Sequence, residues 1–239
     1  MPSEDETNGE EAALKILGEM WKMRSERNIE GMARYGINVE NALGIPMTWM
    51  RSRAKSLPRS NELAMALWAS GLHEARILAS IVADPKTIEK GIVLEWVKDF
   101  DSWDVCDQCC SNLFSLTPYA RDLVVPWCEA EEEFVKRAGF VMMAALAVKD
   151  KISPSSSFNG YMALIERHST DGRNNVKKAV NWALRQIGKR DVAGYDIAFP
   201  VAERLASCSD KTSRWIGKDA YRELSSPKTI EMVKRRRPR

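Results

Sequence analysis

Almost every apolar run in this chain repeats at helical spacing, and no run of four to eight residues alternates cleanly between apolar and polar. An apolar residue every three or four positions puts a stripe on one side of a helix, whereas a half-buried strand needs a period of two. Ala12, Leu14, Ile16, Leu17, Met20 and Trp21 mark a first amphipathic helix, and Leu63, Ala64, Leu67 and Trp68 mark another. Ala75, Ile77, Leu78, Ile81 and Val82 follow directly after Gly71. The pattern continues through 92–100, 103–114, 118–128, 131–149, 158–168, 173–188, 191–207 and 211–224. Pro58, Pro85, Pro118, Pro154, Gly172 and Pro227 supply the breaks. The expectation is an all-α chain of about a dozen helices joined by short turns.

The helices also echo one another. Glu74-Ala75-Arg76-Ile77-Leu78-Ala79 resembles Lys136-Arg137-Ala138-Gly139-Phe140-Val141, and both resemble Lys177-Lys178-Ala179-Val180-Asn181-Trp182. Ser213-Arg214-Trp215-Ile216-Gly217-Lys218 is a weaker echo. A period of roughly 30–40 residues suggests stacked helical pairs, an α-solenoid in which each pair buries its face on the next. In such a stack the same helix of each pair lines one face. Arg76, Lys136, Arg137, Lys177, Lys178, Arg214 and Lys218 are then expected to share a basic groove, the footprint of a nucleic-acid binder. The plainer alternative is a solvated helix face.

Charge is modest overall, at +3, but unevenly placed: residues 3–11 are acidic, and Lys234-Arg235-Arg236-Arg237-Pro238-Arg239 is basic. One repeat domain over 12–226 is expected, with a mobile acidic start at 1–11 and a basic tail at 227–239. No stretch approaches the roughly 20 apolar residues of a membrane span. No charged-then-apolar leader opens the chain, which points to a cytoplasmic protein. The five cysteines are odd in number, and Cys106, Cys109 and Cys110 fall inside a helical pattern, where reduced Cys packs as a small apolar residue. Cys106-x-x-Cys109 is half a zinc site with no second half, since only His73 and His168 could add nitrogen, so no metal and no cofactor is expected. No Gly-rich phosphate loop, Gly-x-Ser-x-Gly or His-Glu-x-x-His occurs, which leaves nucleotide hydrolysis, ester hydrolysis and zinc proteolysis without a basis.

Two short segments carry chemistry. Trp103 and Asp107 stand four residues apart, and Trp182 and Arg185 three apart, so each pair shares a helix face. An aromatic plane beside a carboxylate, and another beside a guanidinium, suit a cationic or sugar-like group on a phosphate chain. Trp21, Trp68, Trp96 and Trp127 are expected in the core or the groove wall.

Trp103-Asp104-Val105-Cys106-Asp107, Phe134-Val135-Lys136-Arg137-Ala138 and Asn181-Trp182-Ala183-Leu184-Arg185 together resemble the signature blocks of AlkD-like DNA glycosylases. Met32-Ala33-Arg34-Tyr35 and Leu43-Gly44-Ile45 are similar to that family's N-terminal helical region, and the resemblance runs from about Gly31 to Leu224. It implies a right-handed α-α superhelix of HEAT-like repeats. It also implies excision of cationic alkylated purines, such as 3-methyladenine and 7-methylguanine, from double-stranded DNA without base flipping. On that resemblance Asp107 is the candidate carboxylate, with Trp103 and Trp182 as aromatic walls. Asp104 is more in keeping with a structural role. Arg137 matches the DNA-contacting arginine more closely than Arg185 does, and Tyr35 aligns with a tyrosine near the lesion. Lys136, Lys178, Arg76, Arg214 and Lys218 complete the expected DNA-binding set. Some members carry a polar residue where this chain has Pro46, a departure that bears on N-terminal contacts and substrate range. With no Lys in a Schiff-base context, a glycosylase without strand-cleaving activity is expected, acting as a monomer. The rivals are a protein of the same fold that binds bent, branched or damaged DNA without cutting, and a protein–protein scaffold.

Overall fold

The computed structural model describes residues 4–236, with side chains from residue 9 onward. Among these residues there is no strand. The α-helices, in chain order, are α1 (Glu4–Lys22), α2 (Glu26–Arg34), α3 (Met47–Lys55), α4 (Asn61–Ala69), α5 (His73–Val82), α6 (Lys90–Trp96), α7 (Trp103–Asn112), α8 (Ala120–Cys128), α9 (Glu133–Lys149), α10 (Asn159–Arg167), α11 (Asn174–Gly188), α12 (Val192–Ala206), α13 (Lys211–Leu224) and α14 (Pro227–Arg235). Short 3-10 turns follow α6 and α7 and precede α10. The all-α expectation therefore holds as a class, while α2, α3 and α14 are helices that the apolar spacing does not mark. The chain divides into two compact units, Met1–Pro118 and Tyr119–Arg239, where the sequence pattern suggests one continuous domain.

Both units are built from the stripes seen in the sequence. In the first, Ile16 and Met20 of the expected α1 stripe are buried together with Ala13, while Leu14 and Trp21 of that stripe are exposed; Leu63, Ala64 and Leu67 are buried on α4, the helix α1 packs against. In the second, Val176, Ala179, Val180, Ala183, Leu184 and Ile187 are all fully buried along α11, which packs on α9, α12 and α13. Burying a side chain of that size contributes roughly 1.5–3 kcal/mol, and these stripes, more than helix propensity, hold the elements. Gly139 lets α9 approach α8, since a Cβ there would lie 2.5 Å from the Cys128 backbone nitrogen.

Capping explains where the helices start. Ser60, Asp191, Asp210 and Ser226 each accept the amide three residues on, from Leu63, Gly194, Ser213 and Thr229. Pro227, which reads as a break in the sequence, opens α14 at its first turn, where the missing N–H costs nothing. Pro126 and Pro200 sit inside α8 and α12. Residues 4–11, expected to be a mobile acidic start, belong to α1, while 1–3 lie outside the described residues. Much of the basic tail is likewise helical, in α14, while 237–239 lie outside the described residues.

Hydrogen bonds over separations of about 30–40 residues join helices within each unit. In the first unit the Trp68 indole donates to Asp99 and Asn112 donates to Ser80, across 31 and 32 residues. In the second unit Asn175 donates to Glu133, Asn181 to the Ile216 carbonyl and Arg185 to Glu223, across 42, 35 and 38 residues. One buried feature has no sequence signature. Arg190 is fully enclosed and donates to Ser155 Oγ and to the carbonyls of Ala147, Asp150 and Ser153 at 2.6–3.1 Å. Ser155 in turn donates to the Asp191 carboxylate, 2.8 Å away, so a single polar network fixes the turn that follows α9.

Candidate nucleic-acid interface

In the first unit the site is built around Trp103, the first residue of α7. Its indole N–H donates to the Tyr35 carbonyl at 3.1 Å, and Ser102 Oγ accepts the Asn38 amide at 2.8 Å. Ser102, at the N-cap position, makes no cap bond to its own helix and serves this cross-link instead. Together the two bonds tie the end of α2 to the start of α7. They frame a cleft of about 580 Å³ whose walls include Met32, Tyr35, Ile37, Ile45, Pro46 and Trp103. The Tyr35 side is open, with the residue 78% exposed. A second, deeper cavity of about 260 Å³ shares Met32, Ile37, Ile45 and Trp103 and reaches His73, Asp104 and Gln108.

The wall formed by residues 43–46 is held from behind. Glu74, buried on α5, accepts the amides of Leu43, Gly44 and Ile45 at 2.7–3.1 Å. Gly44 has φ +74°, and a Cβ there would lie 2.6 Å from the Ser25 carbonyl oxygen, so only glycine fits. Asn28 of α2 donates to the Gly44 carbonyl at 2.8 Å. Sequence reasoning marked Leu43-Gly44-Ile45 but missed Glu74. The available signal was an acid at the start of a helix on an otherwise buried face.

Asp107 lies one turn beyond Trp103 on α7, half-buried and engaged by a partner. Asp104 takes the structural part: its Oδ2 lies 2.8 Å from Nε2 of His73, a buried residue. Burial pushes the His73 imidazole toward neutrality, but the Asp104 hydrogen bond and charge, with Glu74 and Asp101, outweigh it and raise the pKa above 6.5. A raised folded-state pKa stabilises below the unfolded value, and the contribution is lost as pH rises through the folded one. Unfolding free energy measured by urea denaturation should therefore contain a term that falls with rising pH above about 6.5, the reference histidine value. His73→Gln should remove it, and identical pH profiles for the two proteins would contradict the pairing.

Arg76 is half-buried on α5. Its guanidinium donates to the Asp99 carbonyl at 3.1 Å and lies 5.3 Å from the Trp68 ring, which stacks on Trp96 at 4.1 Å. Trp68, Trp96 and Trp127 are core residues, whereas Trp21 is 53% exposed. Cys106, Cys109 and Cys110 are buried on α7, and burial pushes the Cys109 thiol well up. No group of His, Cys, Asp or Glu among the described residues could hold a metal ion.

The remaining site residues lie in the second unit. Trp182 is half-buried on α11. Arg137, on α9, is 5% exposed and donates to the Asn175 carbonyl at 2.7 Å, and Lys136 beside it lies 3.8 Å from the Asp171 carboxylate. Arg185 is bridged to Glu223 at 2.6 Å and to Asp219 at 3.8 Å, and Glu223 also takes Lys189. That pairing largely neutralises Arg185. Arg214 donates to the carbonyls of Cys208 and Ser209 in the turn before α13. Lys178 and Lys218, by contrast, are exposed on α11 and α13. The exposed cations among the expected residues of this unit are thus these two lysines, while Arg137, Arg185 and Arg214 are bonded within the protein. The guanidiniums of Arg137 and Arg185 reach across to the Asn175 carbonyl and to Glu223, and that of Arg214 folds back onto its preceding turn.

A family model described as "DNA alkylation repair enzyme" matches residues 16–224. A solved structure described as "a new family of proteins related to the HEAT-like repeat DNA glycosylases with affinity for branched DNA structures" superposes with a TM-score of 0.72 at 21% identity. The match covers 88% of this chain and 94% of that one. The fold is thus that of the HEAT-like repeat proteins. No curated protein matches the chain significantly.

Proposed function

We propose, for a chain that belongs to the DNA alkylation repair enzyme family, that it binds duplex DNA and excises cationic alkylated purines as a monofunctional N-glycosylase. The observation that carries this reading is Trp103, clamped to the Tyr35 carbonyl at the wall of an open aromatic cleft, with the Asp107 carboxylate one turn along the same helix.

Alkylation at N3 or N7 places a positive charge on the purine and makes it a good leaving group. As the C1′–N9 bond breaks, its electron pair leaves with the base and cancels that charge. Cationic character passes to the deoxyribose. The Asp107 carboxylate stabilises it and orients the attacking water, whose oxygen bonds C1′ while its proton passes to the carboxylate and then to solvent. Trp103 and Trp182 offer π faces to cationic groups, worth about 0.5–2 kcal/mol each. Since the charge is already on the lesion, no general acid has to protonate the leaving base, and the lesion can remain stacked without being flipped. In the second unit Lys178 and Lys218 are the exposed candidates for phosphate contact. Incubation with DNA containing 7-methylguanine or 3-methyladenine should release free base. Trp103→Ala should slow release about tenfold through the loss of its π contact; an unchanged rate would remove Trp103 from the site.

The second reading, binding without excision, is favoured by the branched-DNA affinity stated for the structural relative. It predicts salt-dependent binding to branched DNA with no base release.

A further inference from the structure

Helix α13 carries an exposed strip of which the proposed function uses only Lys218, as a phosphate contact. Lys211, Trp215 and Lys218 recur at positions i, i+4 and i+7, so they line one side of the helix. All three are exposed, and Trp215 leaves 41% of its surface to solvent. The neighbouring helix α11 adds Lys177, whose ammonium sits over one face of the Trp215 ring, 4.9 Å from its centroid, and Lys178 beside it. None of these four lysines has an acidic partner among the described residues. The acids nearby are committed: Asp219 pairs with Arg185 and Arg222, and Glu223 with Arg185 and Lys189.

We propose that Trp215, flanked by Lys177, Lys178, Lys211 and Lys218, is a stacking platform for an unpaired base, so that the preferred DNA carries a single-stranded segment beside its duplex. This rests on the DNA-binding reading above. In a duplex the base faces are covered by their neighbours, so it offers lysines its phosphates but offers an indole plane nothing. An unpaired strand offers both, and base–aromatic stacking with a cationic track is how single strands are held without sequence preference. An acidic peptide would satisfy the lysines but seldom supplies a planar face. From Lys211 to Lys218 the helix rises about 10 Å, on the order of three nucleotides of one strand. Sequence reading marked Lys218 and Lys178 but passed over Trp215, whose segment looked like a weak echo of the repeat. Between layers its equivalent is not a Trp, so motif alignment gives it no partner.

The test compares affinity for a blunt duplex with affinity for a fork of the same duplex carrying unpaired arms, at one fixed salt concentration. The wild-type protein should prefer the fork. Trp215→Ala should reduce that preference about tenfold, and Trp215→Phe, which keeps a ring, should restore most of it. Equal affinity of the wild-type protein for fork and duplex, or a fork preference that survives in Trp215→Ala, would overturn the platform while leaving duplex binding and excision intact. Binding to neither DNA, even at low salt, would overturn the platform and the proposed function together.

Discussion

Asp107→Asn should reduce release of 7-methylguanine by about 100-fold or more while leaving affinity for the damaged duplex within about threefold, because removing one preorganised electrostatic group from a transition state costs on that order. The substitution keeps size and hydrogen-bonding shape and removes only the charge. Asp107 is half-buried on α7, a helix whose packing face is formed by Val105, Cys106, Cys109 and Cys110. Folding should therefore survive, and the rate loss reads the carboxylate's role directly. Since cationic character reaches the deoxyribose only as the bond breaks, the loss should appear in the single-turnover rate and not in binding. Release within about threefold of wild type would mean that the developing sugar charge is stabilised elsewhere.

Glu74→Ala should cost about 3–5 kcal/mol of stability in the first unit, since it strands three enclosed backbone amides at about 1–3 kcal/mol each, partly relieved by water entry. The amides are those of Leu43, Gly44 and Ile45, so the damage falls on the wall of the Trp103 cleft. Thermal unfolding should drop, and hydrogen exchange at residues 43–45 should speed up before that of α11, which belongs to the other unit. Glu74→Gln keeps one carbonyl acceptor and turns an NH₂ toward one of the amides, so it should fall between the two. If exchange at 43–45 is unchanged in Glu74→Ala, the carboxylate does not hold that wall.

The helices were legible because burial imposes a period that sequence displays directly. The α11 stripe from Val176 to Ile187 is visible without coordinates, and the stretches read from 131 to 224 match α9 through α13 within a few residues. The apolar runs read as helices do not include α2, α3 or α14. Helix α2 buries no residue fully, so its apolar face, with Met32, lines an open cleft instead of a core. Motif reading found Trp103 and Asp107 because both lie within one turn of one helix. It could not find Glu74, Ser102 or Asn38, which act through backbone groups 29–64 residues away. It also over-weighted arginines. Arg185 and Arg214 carry the right charge, but Arg185 bonds to Glu223, 38 residues on, a contact that depends on the repeat spacing, and Arg214 folds back onto the Cys208 carbonyl of the turn before its own helix.

The central claim is best tested by a single-turnover reaction with enzyme in excess over duplex DNA carrying one 7-methylguanine, with the base fraction and the strand analysed separately. The account predicts free 7-methylguanine and a strand that stays intact until alkali opens the abasic site. No free base at enzyme excess, with the DNA nevertheless bound, would contradict it and leave a binding protein of the same fold.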